Sequence, residues 1–266
     1  MPELPDVEVF KRYLDSTSLH QRVESVEVRD EKVLGGASSR ELRSALEGRR
    51  LQRTRRHGKH LFAKLDGSAG SGGWLVMHFG MTGRPGYFGS PEQEPAHARV
   101  LFRFENGYRL AFDDQRMLGK VELTRDPEEF VSSRRLGSDA LELDSARFRE
   151  QLRSKRSAIQ SALMDQRLFA GVGNIYADEI LFQARLHPGR RAADLDDADL
   201  DVLFERTGSV LRQAIERGAD PEQLPDSWLL LHRREGEYCP RCGGEVRKSK
   251  VSGRGGYYCP ACQPER

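Results

Sequence analysis

Two stretches at opposite ends of this sequence carry side chains whose types and spacing can do chemistry. The first is Met1-Pro2-Glu3-Leu4-Pro5-Asp6-Val7-Glu8. If Met1 is removed, the nitrogen of Pro2 becomes a free secondary amine. A free α-amine titrates near ~7.7–8.0, so part of it is unprotonated near neutrality. Such an amine can attack a sugar or carbonyl carbon and form an iminium, by the logic of a lysine Schiff base. Glu3 follows directly, a carboxyl placed to give or take a proton during that attack. The same residues would also simply open a helix, with Asp6 and Glu8 favouring its positive end.

The second stretch holds all four cysteines, Cys239-Pro-Arg-Cys242 and Cys259-Pro-Ala-Cys262, with 16 residues between the pairs. Two such knuckles can close a tetrahedral four-thiolate zinc site, and a redox dithiol pair is the alternative. With every position filled by protein, one zinc ion there is structural, supplying folding energy that a short module cannot obtain by burial. Arg247, Lys248, Lys250 and Arg254 lie between the knuckles with Tyr257-Tyr258. A stapled hairpin bearing these cations and exposed aromatics can grip a phosphate backbone. Within Ala170-Gly171-Val172-Gly173-Asn174, Gly173 permits a sharp reversal. Asn174 can cap a helix beginning at Ile175, and the free N–H groups of that helix start form an anion site.

These groups need elements to hold them. The 266 residues suffice for two domains, and 43 Lys and Arg against 41 Asp and Glu leave a net charge of only +2. The charge is uneven: Arg49 to His60 is crowded with basic residues, and Asp194 to Asp201 forms an acidic block. No apolar run is long enough to span a membrane, and no leader pattern precedes the first helix, so a soluble cytoplasmic protein is expected. Leu4 to Leu14 reads as a helix, Arg22 to Arg29 as a strand, and Ser38-x-x-Glu41 as a capping box opening a helix through Leu46 with Gly48 at its stop. His60 to Leu65 and Trp74 to Phe79 read as strands, with Gly67 to Gly73 a flexible loop. Arg99 to Asp113 reads as a hairpin turning through the two residues Asn106-Gly107, its buried face Val100, Phe102, Phe104, Leu110 and Phe112. From Ser145 the period becomes helical, with helices at Phe148 to Arg153, Ala158 to Met164, Ile175 to Leu186 and Asp197 to Arg217.

Met-Pro-Glu-Leu-Pro-Asp-Val-Glu, Arg-His-Gly-Lys-His-Leu around Lys59, His-Phe-Gly-Met-Thr-Gly from His78, Leu-Met-Asp-Gln followed by Gly-Val-Gly-Asn-Ile-Tyr-Ala-Asp-Glu, and the closing Cys-Pro-Ala-Cys-Gln occur in that order. Together they resemble the formamidopyrimidine-DNA glycosylase / endonuclease VIII family from end to end, and Glu-Leu-Pro is closer to the formamidopyrimidine branch. The resemblance implies an α+β fold: an N-terminal β-sandwich with flanking helices over 1–133, a helix–two-turn–helix domain over 134–235, and a zinc-finger hairpin over 236–266, with DNA in the cleft between. It implies a DNA glycosylase and AP lyase of base excision repair, acting on double-stranded DNA with damaged bases or abasic sites; with no sustained heptad or other assembly element in the sequence, a monomer is the default expectation. Pro2 would be the nucleophile and Glu3 the proton donor. Lys59, His78, Asn174 and Arg254 would grip phosphates around the flipped nucleotide. Met81 and Arg116, with Leu118, would fill the space that nucleotide leaves.

Some positions depart from the family's pattern. Asp6 stands where the family usually has Glu, Met117 where it has a second arginine, and Leu118 where it has a wedge phenylalanine. The segment after Gly218 is short, and His232 stands near an expected phosphate-binding tyrosine. These departures weigh against 8-oxoguanine as the preferred lesion. A catalytically silent protein that binds damaged or branched DNA is the other reading, and it would follow from retained Met1, which leaves Pro2 an amide.

Overall fold

The computed structural model describes residues 1–67, 73–251 and 253–265, and of Arg254 the backbone alone. The chain divides into two compact units, Met1–Pro2 with Asp6–Arg135, and Glu3–Pro5 with Leu136–Arg266.

In the first unit α1 (Leu4–Thr17) leads to β1 (Val23–Val28), α2 (Ser39–Leu46), β2 (Leu51–His57), β3 (His60–Leu65), β4 (Trp74–His78), β5 (Arg84–Phe88), β6 (Ala98–Phe104), β7 (Arg109–Asp113), β8 (Lys120–Thr124) and α3 (Pro127–Ser133). Among the described residues the strands form two antiparallel four-stranded sheets, ordered β1-β6-β7-β5 and β2-β3-β4-β8. Val26, Phe102, Phe104 and Phe112 from one sheet share a core with Leu61, Leu75, Met77 and Val121 from the other, and α1 adds Val7 and Leu14. This is a sandwich, each sheet turning its alternate apolar positions inward. The capping box of α2 is present: Ser38 Oγ accepts from Glu41 N, and Glu41 Oε2 accepts from Ser38 N at 2.8 Å.

Three features of this unit differ from the sequence expectation. The β6–β7 hairpin turns through Glu105–Gly107, not two residues, because Phe104 N donates to Tyr108 O, with Gly107 at φ 86°. Leu101, on the supposedly outward face, is fully buried in a second cluster with Phe88, Ala98 and Ala111. Within the basic stretch Arg49 to His60, for which no element was expected before His60, Leu51–His57 is strand β2, and its cations are engaged: Arg56 Nε donates to Glu8 Oε2 at 2.9 Å, Arg55 pairs with Glu128, and Arg53 lies over the Trp74 ring.

In the second unit β9 (Ser138–Asp139) pairs in parallel with β10 (Phe169–Ala170), and the helices are α4 (Ser145–Arg153), α5 (Ile159–Leu163), α6 (Asn174–Ala184) and α7 (Asp197–Glu216). The helix expected over Asp197 to Arg217 is α7, and an apolar stripe at helical spacing is buried along it at Leu200, Leu203, Val210, Leu211, Ala214 and Ile215, with Phe204 packed at its edge. The acidic block is the first turns of this helix, where Asp196 caps and Asp199 pairs with Arg190 at 2.7 Å. β11 (Arg247–Val251) and β12 (Arg254–Tyr258) form the terminal hairpin. The expected loop Gly67–Gly73 lies mostly outside the described residues.

Phe112 is 1% exposed and stacks on Phe79 at 5.6 Å between ring centroids. Its replacement by alanine is expected to cost the first unit about 3–5 kcal/mol. Chemical denaturation followed by Trp74 fluorescence measures this loss; an unchanged midpoint would mean that the inter-sheet core closes without it.

Candidate active site, phosphate-gripping groups and metal centre

The carboxylate of Glu3 is fully buried and sits on the first turn of α6. Its Oε2 accepts from Gly173 N at 2.7 Å and Tyr176 N at 3.3 Å, and its Oε1 accepts from Ile175 N at 2.9 Å. Leu4 N donates to Gly171 O at 3.0 Å, fixing the backbone beside it. The donors that a helix start leaves without intrahelical partners are therefore taken by an acid from the chain's beginning, where the helix dipole also favours negative charge.

This corrects two expectations. The residue flanking α6 is Gly173, and Asn174 does not cap: it is the first helical residue, and its Nδ2 donates to Gly255 O on β12 at 2.9 Å. The anion site at this helix start is filled by the protein's own carboxylate. Gly171, at φ 113°, leaves the room that Leu4 occupies, since a Cβ there would stand 2.6 Å from Leu4 Cδ1.

In the first unit, Lys59 lies in the turn between β2 and β3, where Gly58 takes φ 55°. His60 pairs with His78 across β3 and β4, their rings 4.9 Å apart. Burial pushes both imidazoles down, His60 to about 3 with His78 adding to the effect, and His78 to about 4 with Lys59 and Arg134 adding to it. Both are neutral near pH 7. Gly80 N donates to His78 Nδ1 at 3.3 Å, which leaves the ring proton on Nε2.

Met81 and Leu118 are 40% and 48% exposed, high values for large apolar side chains, and Arg116 is exposed beside them in chain order. Met117 turns the other way at φ 53° and packs on the sandwich core. Asp114, to which sequence reasoning assigned no role, is a buried carboxylate at the root of this loop.

The four cysteine Sγ atoms lie within 4.8 Å of one another, with Cys239–Cys262 at 3.8 Å and Cys242–Cys259 at 3.6 Å. Zinc–sulfur bonds of ~2.3 Å in a tetrahedron require sulfur–sulfur edges of about 3.8 Å. The donor set and spacing fit one structural zinc ion held by Cys239, Cys242, Cys259 and Cys262. The knuckles are shaped by Gly243 N donating to Cys239 O and Gln263 N donating to Cys259 O.

The hairpin is fastened to α6 by groups to which sequence reasoning assigned no role. Arg241 donates to Phe182 O at 2.8 Å and to Gln183 Oε1 at 2.9 Å, with its guanidinium over the Phe182 ring. Asp178 accepts from Gln160 Nε2, from Arg233 and from Tyr257 N. Burial raises Asp178 to about 6 against the pull of Arg233, and burial raises Glu179 to about 7 against bonds from Gln183 and Leu230 N. Tyr257 and Tyr258, expected to be exposed, are half-buried, one under Arg233 and the other edge-on to His187. Arg254 opens β12 opposite Val251, and its side chain lies outside the described residues.

Two measurements check these assignments. Elemental analysis is expected to find one zinc per chain; Cys259→Ser should lose it and open β11 and β12 to amide exchange, and retained protection would contradict a metal-held hairpin. The depressed histidines bind fewer protons folded than unfolded as pH falls below ~6.5, so their contribution to stability is present above that value and lost on acidification. Glu179 acts with the opposite sign, its contribution being lost as pH rises through about 7. His60→Gln should therefore shrink the fall in Tm between about pH 7 and about pH 4.5. A fall equal to that of the unaltered protein would mean that His60 is charged when folded.

Comparison with known proteins agrees with this geometry along the whole chain. Residues 1–121 match the family model of the formamidopyrimidine-DNA glycosylase N-terminal domain, 136–225 its H2TH domain, and 236–264 the zinc finger found in FPG and IleRS. A formamidopyrimidine-DNA glycosylase of Pelotomaculum thermopropionicum is 34% identical over 277 residues, covering 99% of both chains, and one from an Exiguobacterium species is 36% identical over 279 residues with the same coverage. The Lactococcus lactis enzyme, crystallised non-covalently bound to DNA containing an AP site, superposes with a TM-score of 0.89 at 29% identity, covering 99% of this chain and all of that one. The same enzyme in complex with FAPY-dG DNA gives 0.88 at 28% identity. The chain belongs to the formamidopyrimidine-DNA glycosylase family.

Proposed function

We propose that this protein is a bifunctional DNA glycosylase and AP lyase of base excision repair, working through the nitrogen of Pro2 once Met1 is removed. The observation that carries this reading is the seat of Glu3 on α6. It fixes the backbone next to Pro2 with three hydrogen bonds, so the nucleophile hangs from an anchored residue and not from a fraying terminus. Met1 itself is 45% exposed.

In the proposed reaction the Pro2 nitrogen attacks C1′ of a flipped nucleotide, the C1′–base bond breaks, and the base leaves with the bonding pair and takes a proton from water. The attacking nitrogen gives its own N–H proton to Glu3, Glu3 passes it to the ring oxygen as the C1′–O4′ bond breaks, and the freed nitrogen pair closes an iminium that joins Pro2 to the open sugar. That cation acidifies the C2′ hydrogen. Its loss expels the 3′ phosphate, and a second elimination expels the 5′ phosphate, cutting the strand on both sides. Lys59 is the third group assigned to catalysis, its cation standing near the neutral His78. His78 is assigned to donate to phosphate through Nε2–H, and Asn174 and Arg254 are also assigned to phosphate contacts.

The proposed division of labour is a catalytic sandwich over 1–133, a helical DNA-binding domain over 134–235 and a zinc finger over 236–266. Its partner is double-stranded DNA with damaged bases or abasic sites, the ligands seen in the Lactococcus lactis structures. No helix among the described residues is long and apolar enough to cross a membrane. Its bacterial relatives support reading it as a protein that works at the chromosome in the cytoplasm.

Borohydride reduction on a duplex carrying an abasic site tests the mechanism. Protein of confirmed mass without Met1 is expected to form a covalent adduct, and Pro2→Gly to reduce it at least tenfold. An equal adduct from Pro2→Gly would move the nucleophile elsewhere. No adduct from the unaltered protein would favour the silent DNA-binding reading.

A further inference from the structure

We infer that Asp114, with Thr82, is the positioning residue that presents Met81, Arg116 and Leu118 as one rigid wedge. Asp114 is 0% exposed, and no cation pairs with its carboxylate among the described residues. Instead its two oxygens bind neutral donors from two loops. Oδ1 accepts from Thr82 Oγ1 at 2.6 Å and from Arg116 N at 3.2 Å, and Oδ2 accepts from Gly119 N at 2.7 Å. Thr82 Oγ1 in turn accepts from Arg116 N at 3.1 Å. The carboxylate thus spans the loop that carries Met81 and both ends of the loop that carries Arg116 and Leu118.

The two loops also touch through backbone. A Cβ on Gly80, at φ 58°, would stand 2.4 Å from Gly119 N and 2.5 Å from Leu118 C, so neither strand end can shift without the other. Outside this hub, Arg99 Nε donates to Asp114 O at 2.9 Å and Asp114 N donates to His97 O at 3.0 Å.

A buried carboxylate without a cation costs stability that an apolar residue would not. What that cost maintains is local: Met81 and Leu118 stay in solvent, while Met117, next to Leu118 in sequence, is turned into the core. Flexible loops would fold such side chains back onto the sandwich. A wedge that enters a base stack gains by being held in place before binding, since its ordering entropy is then already spent. Asparagine at 114 would keep the volume but present an N–H group to one of these donors.

This inference rests on the glycosylase reading, and its test separates the two. Rates are compared for the unaltered protein, Asp114→Asn, Thr82→Val and Met81→Ala on two substrates. One is a duplex with a single formamidopyrimidine lesion, where the displaced base must be replaced by the wedge. The other is a single strand with a preformed abasic site, where no stack needs filling. Both Asp114→Asn and Thr82→Val are expected to lower base release at least tenfold more than strand cutting, matching Met81→Ala, and a Tm close to that of the unaltered protein should accompany Thr82→Val. Equal losses on both substrates, or base release at the unaltered rate, overturn the positioning role. An unaltered protein inactive on both substrates overturns the glycosylase reading and this inference with it.

Discussion

A helix that cannot cap itself is the constraint on which the rest of this molecule depends. α6 begins after Gly173 with no capping side chain of its own, and the buried carboxylate of Glu3 supplies what its first turn lacks. The bond runs both ways. The helix start is satisfied only when the chain's beginning is docked, and the chain's beginning is held only because a dipole and three N–H groups are there to receive it. Gly171 then has to be glycine, because Leu4 fills the space of its side chain. For an enzyme whose nucleophile is proposed to be the neighbouring residue, a structural cap and a catalytic anchor become the same contact.

α6 also carries the zinc hairpin along its length, fastened by Asn174, by Asp178, by Arg241 and by the apolar cluster of Phe182, Leu229 and Val246. One 11-residue helix therefore holds both Glu3 and the strand that bears Arg254. Gly256 shows how close that packing is: a Cβ there would lie 2.1 Å from Gln160 Nε2. Charge in the first unit follows a comparable economy. Arg56 and Arg55 are neutralised by Glu8 and Glu128, while burial keeps His60 and His78 uncharged, so the basic stretch carries less positive charge than its composition suggests.

What could be read from the sequence was what is encoded locally. The two cysteine pairs, the Ser38–Glu41 box and the apolar stripe of α7 each lie within a few turns or a short loop. What escaped depends on partners far along the chain. Asn174 looked like a cap because the true partner of the helix start is 170 residues away in sequence. The strand Leu51–His57 was not legible in the basic stretch because alternation is masked when arginines on a strand find acids or rings to rest on. Tyr257 and Tyr258 looked exposed because the surfaces that half-bury them come from Arg233 and His187. The wedge loop was recognised by resemblance alone. Asp114, which organises it, gives no periodic or spacing signal at all.

Amide hydrogen exchange at Gly173, Ile175 and Tyr176, measured together with borohydride trapping on abasic duplex for Glu3→Gln, tests the central contact most directly. A glutamine in that place turns a donor toward one of these N–H groups. Exchange at the three amides is expected to accelerate while the remainder of α6 stays protected, and the trapped adduct to fall at least tenfold. Three amides as protected as in the unaltered protein, with an adduct forming at the same rate, would contradict the account.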